Sequence, residues 1–342
     1  MLKTIFVVDD SVTNLTVAKE ALIDHYRVMT LPSAGKMFSL MEKVTPDLIL
    51  LDIEMPEMDG FETLKRLKSN TSQADIPVIF LTSMTDASTE VRGFQLGVVD
   101  FITKPFSAPV LLNRLKTHLD IDELIRERTA KIEQLKNGIV FVLADMVENR
   151  DQGTGGHVER TTAYIEILIN AMLAREVYAD SIRTMDLESL ISSARLHDVG
   201  KITVPDAILN KPGKLTPEEF EIMKTHCIEG GRIIDQIVSR TGDVEFLYNA
   251  KQFARCHHER WDGKGYPLGL EGTGIPLQGR IMAIVDVYDA LVSERPYKKP
   301  FTKEEAANII MDGAGAQFDP LITQVFFEVR GQFEEVRRNY SD

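Results

Sequence analysis

At 342 residues the chain holds about two domains of ordinary size, and a composition 44% hydrophobic and 27% charged excludes both a disordered tail and a disulfide-stapled mini-fold. The formal net charge of −13 repels a polyphosphate backbone, so DNA is not an expected partner. No uncharged apolar run reaches the roughly 18 residues of a membrane span, the start MLKTIFVVDDS lacks a cleavable-signal pattern, and Cys227 and Cys256 have no CxxC spacing. A cytoplasmic protein with no membrane partner is expected.

The first 120 residues alternate between two periods. TIFVV (4–8), YRVMT (26–30), DLILL (47–51), PVIFL (77–81) and VDFI (99–102) are short apolar runs rich in β-branched residues. Amphipathic stretches of helical length separate them, as in Val12 to Ile23 with Leu15, Ala18 and Leu22 on one stripe. Five strands alternating with helices predict an α/β, doubly wound parallel sheet. Ligands in such folds bind outside the carboxyl ends of the strands.

From about residue 107 the helical pattern continues without a stop, and no Gly or Pro interrupts 110–137. Ile121, Ile125, Arg128, Ile132, Leu135, Ile139, Val142 and Met146 recur at alternating steps of four and three. Two readings fit: a linker helix packed on its own domain, or a coiled-coil seam joining two chains into a homodimer, with Arg128 as its polar core position. Beyond 138 no period-2 strand appears. Ile139–Asn149, Val158–Ala174, Leu187–Leu196, Pro217–Thr225, Glu245–His258, Gly279–Ser293, Lys303–Met311 and Pro320–Arg338 read as helices, and glycine and proline gather in a long loop at 262–279. The predicted organisation is residues 1–119 as the α/β domain, 120–137 as a helical linker and 138–342 as an all-α domain.

Asp9 and Asp10 follow the first predicted strand and Asp52 the third, so three carboxylates project into one crevice. Such a group repels itself unless a hard divalent cation sits among them, and oxygen ligands of this kind suit Mg²⁺. Lys104 and Thr82 complete a ring of one cation and one hydroxyl that can stabilise a phosphoryl group on an aspartate nucleophile. DD at 9–10, LDIEMPEMDG at 51–60, LTS at 81–83 and FITKPF at 101–106 resemble a response-regulator receiver domain. The resemblance implies that a histidine-kinase partner phosphorylates Asp52, that Asp9, Asp10 and Asp52 hold Mg²⁺, and that Thr82 and Phe101 with Lys104 form the switch.

Five of the seven histidines lie beyond residue 138, in the predicted all-α domain. His197–Asp198 end one predicted helical segment and His257–His258 another. His157 opens a helix, His226 sits late in one, and Asp286 is mid-helix. Neighbours on a helix point about 100° apart, so two such pairs are better served by two ions than by one. The mixed nitrogen and oxygen set suits iron, manganese or zinc more than magnesium or calcium.

HDVGK at 197–201 and HHERWDGKGYP at 257–267 are similar to the HD-GYP family of metal-dependent cyclic di-GMP phosphodiesterases, and the likeness extends through 275–299 and QFDP at 317–320. The resemblance implies a dinuclear site of iron or manganese held by His157, His197, Asp198, His226, His257, His258 and Asp286, with Asp198 bridging and catalytic. Lys201, also in a catalytic position, and Tyr266, Arg295 and Lys298 would face the substrate. Two metals would activate water for in-line attack on the phosphodiester, giving pGpG and, on a second cut, GMP. Two departures from the family stand out: Gly153 where some members place a glutamate ligand for a third metal, and Gly279 where alanine is more usual. Two other functions remain open: an adaptor that binds cyclic di-GMP or a partner protein without turnover, and a phosphohydrolase of another nucleotide.

Overall fold

A computed structural model divides the chain into two compact units, Met1–Ile132 and Glu133–Asp342. The structure describes residues 2–70, 73–83, 87–150, 156–242, 244–293 and 299–340. In the first unit β1 (Thr4–Val8), α1 (Val12–Leu22), β2 (Arg27–Leu31), α2 (Ala34–Met41), β3 (Leu48–Asp52), α3 (Gly60–Lys68), β4 (Val78–Thr82), α4 (Ala87–Gln95) and β5 (Asp100–Thr103) alternate along the chain. The five strands form a parallel sheet of order β2-β1-β3-β4-β5.

Successive strand residues point to opposite faces, and both faces are covered. Phe6, Val8, Ile49, Leu51 and Phe80 pack with Met37 of α2 and Phe61, Leu64 and Leu67 of α3. Ile5, Val7, Leu48, Leu50 and Ile79 pack with Leu15, Ala18 and Leu22 of α1. Strands β2 to β5 begin one residue later than the apolar runs suggest. Pro77 has no N–H for the ladder, and Asp47 turns its side chain to accept the Thr4 N–H at 2.7 Å. The shift puts Asp52 and Thr82 on the last residues of β3 and β4 rather than after them.

One uninterrupted helix, α5 (Ala108–Glu148), covers the stretch predicted as the end of one domain, a linker and the start of the next. Leu111, Leu115 and Leu119 join the sheet core. Further along, the four-three stripe is exposed: Ile121, Ile125, Ile132, Leu135, Ile139, Val142 and Met146 are 48 to 63% accessible.

The second unit has no extended strand among the described residues. It contains α6 (His157–Ala174), α7 (Ala179–Arg183), α8 (Leu187–Ser193), α9 (Asp206–Leu209), α10 (Pro217–Thr241), α11 (Glu245–Cys256), α12 (Leu277–Val292), α13 (Lys303–Asp312) and α14 (Pro320–Asn339). The core is aromatic-rich, with Tyr164 stacked on Phe333 at 4.5 Å and Tyr288 edge-on to both.

Two helix expectations change. Helix α10 begins with a capping box, Thr216 and Glu219 around Pro217, but it runs on to Thr241 rather than ending at Thr225. Gly230 and Gly231 lie within the helix and serve close packing. A Cβ on Gly230 would sit 3.2 Å from the Ala254 Cβ of α11, and one on Gly231 would overlap the Arg255 side chain. Helix α8 is shorter than predicted and is followed by 3₁₀ turns at Ala194–Leu196 and Val199–Thr203, so His197 and Asp198 sit between tight turns and not on an α-helix. Short α7 and α9 have no counterpart in the sequence reading.

Candidate functional site

At the carboxyl ends of β1 and β3, Asp9, Asp10 and Asp52 each bring a carboxylate oxygen within 4.8 Å of the others. Asp9 and Asp52 are buried and Asp10 is exposed. Lys104 Nζ reaches both buried carboxylates at 2.7 Å, and Asn14 donates to both oxygens of Asp9 at 3.1 Å. Burial pushes the Asp52 pKa upward, and the charge of Asp9 adds to this while Lys104 opposes it. Three carboxylates against one ammonium leave excess negative charge, and an oxygen cage of that kind suits Mg²⁺. Thr82 is buried beside this crevice, and its carbonyl accepts the Lys104 N–H at 2.7 Å. Phe101 is buried too, edge-on to Phe80 at 5.6 Å and to Phe94 at 5.1 Å.

In the second unit the helix ends converge on a histidine cluster. His157 opens α6, His226 lies within α10, His257 and His258 follow α11, and His197 and Asp198 come from the turn between the two 3₁₀ segments. His157, His197 and Asp198 form one group of potential ligands, and His226, Cys227, His257 and His258 form another. The Nε2 atoms of His157 and His197 are 3.4 Å apart, and those of His226 and His257 are 3.2 Å apart. Asp198 faces both groups: Oδ2 is 3.4 Å from His197 Nε2, while Oδ1 is 3.5 Å from His226 Nε2 and 3.6 Å from that of His257. Asp286 of α12 lies beside the first group, its Oδ1 3.7 Å from His157 Nε2.

Four imidazoles are fixed through their other nitrogen. Nδ1 of His197, His226 and His257 lies 2.7 to 3.0 Å from the carbonyls of Ala194, Met223 and Phe253, and Nδ1 of His157 lies 2.8 Å from Asp289 Oδ2. A ring whose Nδ1–H donates in this way presents the Nε2 lone pair to a metal. Burial lowers His226 to about pKa 4 and takes His258 well below the usual histidine range, so both are neutral donors at pH 7. His157 is shifted the other way: burial opposes its charge, but the bond to Asp289 raises its pKa. Burial likewise opposes ionisation of Asp198, yet Lys201 and His197 hold its pKa well below the carboxylate range.

These donors fit divalent metal. Asp198 Oδ1 is buried with no hydrogen-bond partner, an arrangement that is costly unless a cation or a donor meets it. The Nε2 atoms of His226 and His257, 3.2 Å apart with each Nδ1 turned to a backbone carbonyl, make the same demand.

The remaining predicted residues divide. Lys201 Nζ is 2.7 Å from Asp198 Oδ2, and the ring of Tyr266 lies 4.8 Å from that of His258. Arg295, Lys298 and Gly153 lie outside the described residues. Gly279 is explained by packing: a Cβ there would fall 2.6 Å from the Cys256 carbonyl, so glycine lets α12 approach the end of α11 beside His257.

Three supporting residues escaped the sequence reading. Asp289, buried on α12, holds His157 and accepts from Arg160 Nε at 2.8 Å. Burial would raise its pKa, but the bonds from His157 and Arg160 bring it to about 2. Its position three residues after Asp286, on the same helix face, is a usable signal. Glu259 accepts the N–H groups of Leu268 and Leu270 at 2.7 and 2.9 Å, pinning the glycine-rich loop. Glu148 accepts the N–H groups of His157 and Val158, capping α6 from nine residues upstream, and no local pattern announces that.

Two family models match: a response regulator receiver domain over residues 5–116 and an HD domain over residues 141–322. A probable cyclic di-GMP phosphodiesterase of Vibrio cholerae is 38% identical over 99% of this chain and 80% of its own length. The cyclic di-GMP phosphodiesterase response regulator RpfG of Xanthomonas campestris is 32% identical over 98% of this chain and 90% of its own. A 3′3′-cGAMP-specific phosphodiesterase of Vibrio cholerae is 38% identical over 62% of this chain and 38% of its own. Both halves therefore match in order and nearly at full length, and the chain belongs to the response regulators that join a receiver domain to a metal-dependent phosphodiesterase domain of the HD-GYP type.

Proposed function

We propose that the chain hydrolyses cyclic di-GMP to pGpG, with GMP from a second cut, and that phosphorylation at Asp52 regulates this activity. The observation that carries the reading is Asp198, whose carboxylate faces two groups of imidazoles and keeps one buried oxygen without a hydrogen bond. The names of the relatives support the substrate. In this reading His157, His197 and Asp286 hold one transition-metal ion, iron or manganese, His226, His257 and His258 hold another, and Asp198 bridges them. The bound pair supplies Lewis acidity that activates water and offsets phosphoryl charge. Lys201 steadies the Asp198 carboxylate and adds positive charge for a substrate phosphate. Tyr266 offers an aromatic face beside His258 for a guanine, and Arg295 and Lys298 are the further contacts that the family resemblance implies.

Product chromatography on the full chain loaded with iron or manganese tests this, with cyclic di-GMP and 3′3′-cGAMP compared. Conversion of cyclic di-GMP to pGpG that chelator abolishes is expected. Tight binding without turnover would make the chain an adaptor, and a preference for 3′3′-cGAMP would move the substrate.

The receiver unit takes its phosphoryl group from a histidine-kinase partner, in the cytoplasm, with Mg²⁺ at Asp9, Asp10 and Asp52. Lys104 is placed to neutralise the phosphoryl group on Asp52. Thr82 and Phe101 carry the change outward. A small phosphodonor with Mg²⁺ should add one phosphoryl group by intact mass, absent in Asp52→Ala. Equal labelling of that variant would remove Asp52 from the role.

We assign residues 1–119 to the receiver domain, 120–137 to a linker seam and 138–342 to the phosphodiesterase domain. The exposed stripe on α5 supports a homodimer of two such helices. Leu135→Asp would put an unpaired charge into that seam at a cost of about 3–5 kcal/mol, so light scattering should show a dimer for the parent and a monomer for the variant. A monomeric parent, with or without phosphorylation, would refute the seam.

A further inference from the structure

The second ligand group holds a sulfur that the family's ligand set does not use. Cys227 follows His226 on α10 and is fully buried, and its Sγ lies 3.4 Å from His226 Nε2. Neighbours on a helix usually diverge, but the His226 ring is anchored by Nδ1 on the Met223 carbonyl, which leaves Nε2 alongside the thiol. The donor atoms of His226, Cys227, His257 and His258 all lie within 4.8 Å of one another.

Around an ion with nitrogen at about 2.1 Å and sulfur at about 2.3 Å, adjacent donors lie about 3.0–3.4 Å apart for nitrogen pairs and about 3.1–3.6 Å for nitrogen and sulfur, between six- and four-coordinate geometry, which leaves room for Asp198. The observed edges are 3.2 Å between His226 and His257 and 3.4 Å between His226 and Cys227. These two edges match ligating spacing, and the remaining donor atoms of the group lie within 4.8 Å. Cys256, the other cysteine, belongs to no such group; it packs against Gly279.

We infer that Cys227 is a ligand of the second metal position, making it a site of three imidazoles and one sulfur beside Asp198. This rests on the dinuclear reading above and refines its metal preference. On ligation the S–H proton leaves to solvent and the thiolate sulfur bonds the ion. A soft donor at this position favours zinc, cobalt or iron(II) over manganese.

The test uses cobalt(II) on the reduced full chain under argon, read by absorption and by metal analysis. The parent should show a near-ultraviolet thiolate-to-cobalt charge-transfer band. The band should persist in Cys256→Ser, where Cys227 is the remaining thiol, and be lost in Cys227→Ser and Cys227→Ala, with circular dichroism confirming the helices. The Cys256→Ser chain keeps the test valid if the Cys227 variants fail to fold. Cobalt bound without the band, or a band lost in Cys256→Ser, would overturn the role of Cys227 and leave the metal centre standing. A parent that binds no cobalt would overturn both.

Discussion

Asp198→Ala should lose metal and turnover together while the helices remain. The carboxylate faces both imidazole groups, with Oδ2 near His197 and Oδ1 near His226 and His257, so in the proposed dinuclear site its removal would take a ligand from each ion. Loss of one member of a cooperating catalytic unit lowers kcat on the order of 10⁴-fold, and a drop of that size is expected. The fold should survive, because Asp198 lies in the turn between two 3₁₀ segments, makes no side-chain cap hydrogen bond, and leaves a partner, Lys201, that can turn to water. Metal analysis beside kcat for cyclic di-GMP checks this. A variant that keeps two metals per chain and parental turnover would exclude Asp198 from the site.

Asp289→Ala should damage the same centre from behind, and stability with it. Asp289 orients His157 at 2.8 Å and balances the buried Arg160 guanidinium. Removing one partner of a buried pair costs about 3 kcal/mol, which for a unit of this size lowers Tm by about 6 to 12 °C. Loss of the carboxylate behind a metal-binding histidine weakens metal about 10- to 100-fold. Asp289→Asn, which keeps the shape and a hydrogen-bond acceptor, should recover part of the stability and less of the metal affinity. Calorimetry and metal titration separate the two effects. Parental Tm and metal affinity in Asp289→Ala would show that the pair is incidental.

Much of this was written in local pattern. The strands are apolar runs bounded by turn residues, and a one-residue displacement is the scale of error expected where a proline or an aspartate decides who joins the ladder. The helices of the second unit were legible where a cap or a proline marks an end, as at Thr216 and Pro217. They were misjudged where no such mark stands, as at Thr225, beyond which α10 continues to Thr241. The candidate ligand histidines were legible through their motifs, HDVGK at 197–201 and HHERWDGKGYP at 257–267.

The sequence by itself determined the two classes of unit, the carboxylates of the receiver crevice and the identities of the seven candidate metal ligands. Tertiary structure alone decided how those ligands group, because residues from 157 to 286 meet only when α6, α10, α11 and α12 pack. It also decided what stands behind them. Asp289, Glu148 and Glu259 act across sequence gaps of 132, 9 and 9 residues, distances over which no periodicity carries information. The thiol of Cys227 is the clearest case: in sequence it is a small residue after a histidine, and only the anchored ring of His226 places its sulfur among three imidazoles.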